Sequence, residues 1–507
     1  MSRTGHIAVD LGAETGRVVL GEVRAGKLWM NEVHRFAHRP LQMPEGLCWD
    51  VAGLWREILK GLRLAASLAA TEKIVSLTVG VDSWGVDWGL IGDEGAILRA
   101  PRCYRDPAFA RTEAKVRAAW GDAGDAALYA ATGNQIMPLN TLFQVLEAQG
   151  RDPRTLERGR LLLMPDLFHW KLTGKRTNER TIASTSQMLD CRRGTWAREL
   201  LTRLGIPQGM LADELTNPGT VIGPLMPEIL AETGLPGETM VVTPPTHDTA
   251  SAVAAVPAVA GSKWAYLSSG TWSLLGAELT APCVDEASFR ANFTNERGIG
   301  GEGGSVRFLK NVFGLWLVQE CRRCLARAGT TLDYGELTRL ARAAAPLRTL
   351  VDVSDPRFLA PADMVGEIEA FARETAQPVP ASAGELVRCC LESLALEYQR
   401  TLGTLSRLVG RDFDVVHLVG GGSKNQLLNQ FAADSMGVRV LVGPVEATAT
   451  GNLLTQAMGA GLVRDVAEMR AIVRETCVPE VYEPQAPETW RAAFARYESL
   501  KGSAPAR

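Results

Sequence analysis

At 507 residues the chain is too long for one ordinary core and calls for about two large domains. With 46% hydrophobic and 22% charged residues it reads as a soluble globular protein, and a formal net charge of -3 leaves no basic footprint for nucleic acid or an anionic membrane surface. Met1-Ser2-Arg3-Thr4-Gly5-His6 carries no apolar leader, and no apolar run approaches the roughly 20 residues of a membrane-spanning helix. The expectation is a cytoplasmic protein whose partners are small molecules.

His6 to Asp10 reads as a short apolar strand ending in a carboxylate. Leu11 to Arg17 makes a turn and Val18 to Val23 a returning strand. With Gly12, Gly16, Thr15 and Arg17 the turn is either an ordinary hairpin or an anion-binding nest of backbone N–H groups. Asp50 is placed to cap a helix whose apolar stripe is Val51, Leu54, Trp55, Ile58 and Leu62. Val75 to Val81 is a buried strand closing on Asp82-Ser83-Trp84-Gly85-Val86-Asp87-Trp88, whose indoles suit either the core or the apolar face of a ligand. A further strand breaks at Gly92-Asp93-Glu94-Gly95, Tyr104 to Pro107 starts a loop, and helices fill much of the next hundred residues, including Met164 to Thr173 closing at Gly174.

Met240 to Thr243 is a strand stopped by Pro244 and Pro245, after which Thr246-His247-Asp248-Thr249 opens an Ala-rich helix. A strand handing over to a helix is where open α/β sheets place ligands. Asp248 and Thr249 have two readings: helix caps, or groups presented to a ligand, with Thr249 capping while the Asp248 carboxylate stays free.

A second domain is expected after Pro257, dividing the chain into 1–257 and 258–507. Lys263 to Gly276 is again strand, small polar turn, strand, echoing residues 6 to 21 as duplicated halves would. Gly298 to Gly303 fits GxGxxG but follows a polar stretch rather than a buried strand, so it reads as a loop. Phe308 to Arg327 reads as a helix carrying Asn311, Trp316 and Gln319, and another helix runs from Glu385 to about Leu408 after the short link Gln377 to Ser382. Val415 to Val419 is a buried strand followed by Gly420-Gly421-Gly422-Ser423-Lys424-Asn425 and the helix Gln426 to Met436. Strand, glycine run and helix can meet phosphate. A strand at 438–442 and a small-residue helix at 446–460 follow. Cys321-Arg322-Arg323-Cys324 lacks the second pair a zinc site needs and reads as helix packing.

Hydroxyl-bearing turns, a strand-end carboxylate and a second carboxylate at a helix start are the parts phosphoryl transfer needs: phosphate nests, a metal ligand and a base. There is no GxxxxGK[ST] pattern and no protein-kinase signature set. Across residues 6 to about 497 the chain resembles the FGGY family of carbohydrate kinases. The resemblance rests on Val9-Asp10-Leu11-Gly12-Ala13 through Gly16-Arg17, Asp82 to Asp87, Leu163 to Asp166, His247 to Val253, Tyr266 to Leu274, and Val419 to Gly422. It implies an α/β fold of two actin-like (ribonuclease H-like) ATPase domains with a cleft between them. It further implies phosphoryl transfer from ATP, with Mg²⁺, to a sugar hydroxyl; L-rhamnulose is the first candidate acceptor, and L-fuculose or L-xylulose are alternatives. By the same resemblance Asp248 is the catalytic base, and Gly85, His247 and Thr249 lie with it at the sugar. Ala13, Glu14, Thr15, Gly16 and Arg17 form the first phosphate turn; Thr271, Asn311, Gln319 and Gly421 hold ATP; Asp10 binds the metal. Glu14 departs from the serine common at that place in the family, and its side chain is expected to point into solvent rather than help hold the metal. A non-catalytic sugar-binding protein on the same fold is the competing class. Oligomeric state is not legible in the pattern.

Overall fold

The computed structural model describes residues 3–300, 304–359 and 361–501; Gly301-Glu302-Gly303 of the GxGxxG run lie outside them. The chain forms two compact units: residues 1–257, 278–308 and 447–477 make the first, and 258–277, 309–446 and 478–507 the second.

The first unit starts with strands β1 (Thr4–Leu11), β2 (Thr15–Arg24) and β3 (Lys27–Ala37), then helix α1 (Val51–Thr71) and strand β4 (Ser76–Ser83). Strands β5 (Val221–Pro224) and β6 (Met240–Val242) and helix α2 (Asp248–Ala254) follow. The sheet order is β5-β6-β4-β1-β2-β3. β1 runs antiparallel to β2 and parallel to β4, and β4 runs parallel to β6. β1 is buried almost throughout, as its Ile7-Ala8-Val9 run requires of a strand covered on both faces. Asp50 caps α1 by accepting the Gly53 N–H at 2.8 Å. The α1 stripe of Leu54, Ile58, Leu62 and Ala65 packs into one core with Ile7, Val9, Val18 and Leu20.

The later segments comprise strands β7 (Trp264–Ser269), β8 (Trp272–Leu279), β9 (Thr294–Arg297) and β10 (Val306–Phe313), then helices α3 (Trp316–Arg327) and α4 (Ala383–Val409). Strand β11 (Val415–Val419), helix α5 (Gln426–Met436), strand β12 (Arg439–Val442), helix α6 (Ala447–Gly459) and strand β13 (Glu480–Tyr482) complete them. The second sheet runs β10-β8-β7-β11-β12-β13, with β9 beyond β10. Its core β10-β8-β7-β11-β12 repeats β3-β2-β1-β4-β6: an antiparallel hairpin at the centre, with the next strand added parallel to its first. The similarity of the two hairpins is therefore a duplicated topology.

The helix expected over Phe308–Arg327 is a correction. β10 continues to Phe313, so Asn311 stands on a strand, and α3 begins only at Trp316. Strand pairing against β8 claims Phe308 and Leu309, and the chain then turns at Gly314, where a Cβ would lie 2.6 Å from the Gly270 carbonyl oxygen.

The chain crosses to the second unit after Pro257 and then returns to the first twice, which a division at one point does not contain. α6 explains the second return. It lies against β1, β4 and α2. Gly451 fits so closely that a Cβ would come within 1.9 Å of the Ser251 carbonyl oxygen. Asn452 donates to the Gly80 carbonyl (3.2 Å), and Gln456 donates to that of Ile7 (3.0 Å). Among the described residues no helix is long and apolar enough to cross a membrane.

Candidate active site

Three strand ends of the first unit converge. β1 and β4 are in parallel register, so Asp10 pairs with Asp82 and Leu11 with Ser83. β6 pairs Val241 with Val79, and beyond Pro244-Pro245 the ladder resumes with His247 opposite Ser83, two residues out of the earlier register. The Ser83 N–H donates to the Thr246 carbonyl at 2.9 Å. Glu179 grips the same loop: its Oε2 accepts from the Thr246 N–H (3.1 Å) and hydroxyl (2.6 Å). Two prolines thus bulge the chain out, and a buried carboxylate fixes where it re-enters.

Asp248 is the first residue of α2, and His247 is the helix cap, without a side-chain cap bond. The expected capping by Thr249 is a correction. Thr249 lies inside the helix, and its N–H (2.5 Å) and hydroxyl (3.1 Å) both donate to Oδ1 of Asp248. The carboxylate itself sits in the first turn, where the helix dipole favours it. His247 Nε2 lies 3.5 Å from the same Oδ1, while Oδ2 accepts no hydrogen bond from the described residues. Burial pushes the Asp248 carboxyl above its ordinary range, with His247 opposing, the Asp10 charge adding and the Thr249 bonds opposing.

Asp10 accepts from Arg17 at 2.8 and 2.5 Å, so an expected metal ligand and the last residue of the phosphate turn form an ion pair. The turn is held from outside: His38 binds the Gly12 carbonyl through Nε2 at 2.7 Å, and the His38 N–H donates to the Glu14 carbonyl at 3.0 Å. Thr15 is exposed and Gly16 buried against Phe36. The Glu14 side chain is 39% exposed, with Arg105 Nη2 3.9 Å away.

The sequence pattern noted Asp82 only as the carboxylate that closes β4 and gave it no role. Asp82 is fully buried, Oδ2 accepts from Asn452 Nδ2 at 2.5 Å, and Oδ1 has no hydrogen-bond partner. Burial raises its carboxyl well above the ordinary range, Asp10 and Asp248 add to this, and the Asn452 bond opposes it. Glu296 and Arg307 were missed too. Both are buried; Arg307 Nη2 lies 3.0 Å from Glu296 Oε2 and 3.1 Å from His247 Nδ1. β9 and β10 carry them, and their local sequence gives no periodic signal toward His247.

Gly85 packs beside Thr185, where a Cβ would lie 3.1 Å from the hydroxyl oxygen. Next to it Trp84 and Trp88 are buried in the core. Trp84 stacks on His38 and contacts Trp49. Both indoles of that pair donate to Asp87 Oδ2, Trp49 at 2.6 Å and Trp84 at 3.0 Å, while Gln144 donates to Oδ1 at 2.9 Å.

In the second unit Gln319 Nε2 donates to Thr271 Oγ1 at 3.2 Å, joining two of the residues matched to the nucleotide site. Asn311 stands on β10. In the triple-glycine run, Gly420 has φ +91° and Gly422 would set a Cβ 2.2 Å from Ser269 Oγ, so the fold itself demands glycine at both. Gly421 between them is exposed and would meet nothing within 4 Å. The cysteines are free thiols; Cys321 and Cys390 are buried with sulfurs 3.9 Å apart.

The N-terminal domain of the FGGY family of carbohydrate kinases matches residues 6–255 and its C-terminal domain residues 265–460. The chain belongs to the FGGY family of carbohydrate kinases. It is 41% identical over 498 residues to the rhamnulokinase of Bacteroides thetaiotaomicron, covering 98% of this chain and 99% of that protein. It is 40% identical to the rhamnulokinase of Enterococcus faecalis (94% of each chain) and 37% to that of Bacillus subtilis (95% of each). In fold it matches Plasmodium falciparum glycerol kinase with ADP at TM-score 0.79 and 13% identity, covering 100% and 99% of the two chains. The ligand-bound xylulose kinase of Lactobacillus acidophilus matches at TM-score 0.78 and 15% identity, covering 99% and 98%. The fold is thus the two-domain α/β sugar-kinase fold, and this FGGY kinase is a carbohydrate kinase using ATP as phosphoryl donor.

Proposed function

We propose that the protein phosphorylates L-rhamnulose at O1, giving L-rhamnulose 1-phosphate and ADP. Likeness at 36–41% identity to rhamnulokinases over nearly the whole chain supports the choice of sugar. The observation that carries the mechanism is Asp248, whose Oδ1 is held by Thr249 while Oδ2 is left to take a proton.

In this reading Asp248 Oδ2 accepts the O1 proton as that oxygen attacks the γ-phosphorus in line. Burial raises the basicity of this carboxylate and strengthens its bond to the sugar hydroxyl. Gly85, His247 and Thr249 bind the sugar, His247 orienting it rather than serving as a second base. The turn Ala13, Glu14 and Thr15 offers backbone N–H groups to phosphate oxygens, and Gly16 and Arg17 complete it from β2, where their own N–H groups belong to the ladders with β1 and β3. Thr271, Asn311, Gln319 and Gly421 receive ATP, and the open space over Gly421 suits a ligand surface.

Among the described residues no three His, Cys, Asp or Glu side chains are grouped to cage a metal ion. A Mg²⁺ ion takes one or two carboxylates and keeps waters rather than filling an all-protein cage. Asp10 supplies the carboxylate that would hold it, directly or through water. Held there, Mg²⁺ would supply neutralisation of the charge that develops on the transferring phosphate.

Incubation with ATP and L-rhamnulose, followed by phosphorus–proton correlation NMR, tests the reading. Phosphorus coupled to the C1 protons is the expected result; coupling at another carbon, or no product, refutes it.

A further inference from the structure

His247 has a ring nitrogen on each side of a question that the hydrogen-bond geometry answers. Arg307 can only donate. Its Nη2 lies 3.1 Å from His247 Nδ1 with hydrogen-bonding geometry, so Nδ1 must accept, which places the ring proton on Nε2. Nε2 is the atom 3.5 Å from Asp248 Oδ1. Glu296 Oε2, 3.4 Å from Nδ1, makes no hydrogen bond to the ring; it lies 3.0 Å from Arg307 Nη2 as the counter-charge of that buried guanidinium. We infer that Arg307, anchored by Glu296, is a positioning residue that fixes His247 as the Nε2–H tautomer, so that the ring donates toward Asp248 Oδ1 and Oδ2 is kept for the sugar hydroxyl. This inference rests on Asp248 being the catalytic base.

The supporting chemistry is consistent. Glu296 is buried, which opposes ionisation, but the Arg307 charge together with the adjacent His247 ring outweighs burial and holds its carboxyl below the ordinary range. Arg307 is completely buried, so neither partner can be exchanged for water without leaving a desolvated charge. The pair is carried by adjacent strands β9 and β10, a more rigid support than a loop. With Oδ1 receiving two bonds from Thr249 and facing His247 Nε2, the carboxylate has one defined basic lone-pair direction. Loss of the Arg307 donor lets the proton move to Nδ1, beside Glu296, and turns an Nε2 lone pair toward the Asp248 carboxylate.

The experiment is long-range proton–nitrogen NMR of the full chain with labelled histidine, the His247 signal assigned by its loss in His247→Gln, alongside kinetics of Arg307→Met and Arg307→Lys. The account expects a neutral Nε2–H ring in the native protein. It expects kcat to fall at least tenfold in Arg307→Met with the KM for ATP unchanged, and Arg307→Lys, which keeps a donor, to recover a substantial part. A native Nδ1–H or cationic ring overturns the proposal even if neither variant folds. Activity of folded Arg307→Met within twofold of native overturns it as well. Should Asp248→Asn prove fully active while the tautomer is as stated, the assignment of the base fails rather than the role of Arg307 toward His247.

Discussion

Both polar hydrogens of Thr249 point at one oxygen of Asp248. The backbone N–H at 2.5 Å and the hydroxyl at 3.1 Å share Oδ1, so the two oxygens of the carboxylate are chemically distinct before any sugar arrives. Asp248→Asn keeps the shape but removes the base. We expect kcat to fall by at least about 10²-fold, the scale of general-base catalysis, with sugar affinity retained. Stopped-time ADP release and calorimetric sugar binding check this, and near-native turnover would remove Asp248 from the chemistry.

The raised carboxyl of Asp248 gives a pH dependence of definite sign. A base must be ionised to work, so kcat/KM declines as pH falls through the Asp248 value, which burial has moved above the ordinary aspartate range. The acid limb of the profile is therefore expected above that range. A limb at or below it would show that the essential base is another group.

Asp87 carries a stability prediction. Its two oxygens accept four N–H donors, from Trp49, Trp84, Gln144 and the Tyr104 backbone, and its carboxyl is pushed up to about 7 by burial despite them. Asp87→Asn turns an NH₂ group toward donors that need an acceptor, and about 2–3 kcal/mol of destabilisation is expected. Because the folded value lies above the unfolded one, near 4 for a free aspartate, the native protein loses this stabilisation as pH rises from there toward about 7. Urea titrations across that window are expected to show the gap between native protein and variant narrowing with rising pH.

Gly421 and Gly422 separate ligand contact from folding. A side chain at Gly422 meets Ser269, so Gly422→Val is expected to cost about 1–3 kcal/mol through overpacking. At Gly421 a Cβ meets nothing within 4 Å, so Gly421→Val is expected to melt like the native protein while raising the KM for ATP about tenfold, the size of one lost contact of about 1.4 kcal/mol. Thermal melts and ATP titrations of the pair decide it: an unchanged KM in Gly421→Val would take that glycine out of the nucleotide site.

Much of this was legible in local pattern. The carboxylate-ended strands, the hairpin that recurs after Pro257, the capped α1 and the handover at Asp248 all follow from spacing, prolines and glycines. Asn311 was misread because a helical run was extended back through Phe308 and Leu309, whose partner strand β8 lies earlier in the chain. Asp82 was passed over because its significance comes from register with Asp10 and from Asn452, 370 residues away. Glu296 and Arg307 matter only through His247, 60 residues before Arg307. Such pairings are set by sheet order and helix return, and no window of sequence contains both partners.

The measurement that tests the central claim most directly is kcat/KM, by coupled ADP release, on L-rhamnulose, L-fuculose, L-xylulose, D-xylulose and glycerol under one set of conditions. The account predicts the highest value on L-rhamnulose, with sugars whose hydroxyls leave buried polar groups unpaired falling well below it. A higher kcat/KM on any other member of the panel would contradict it.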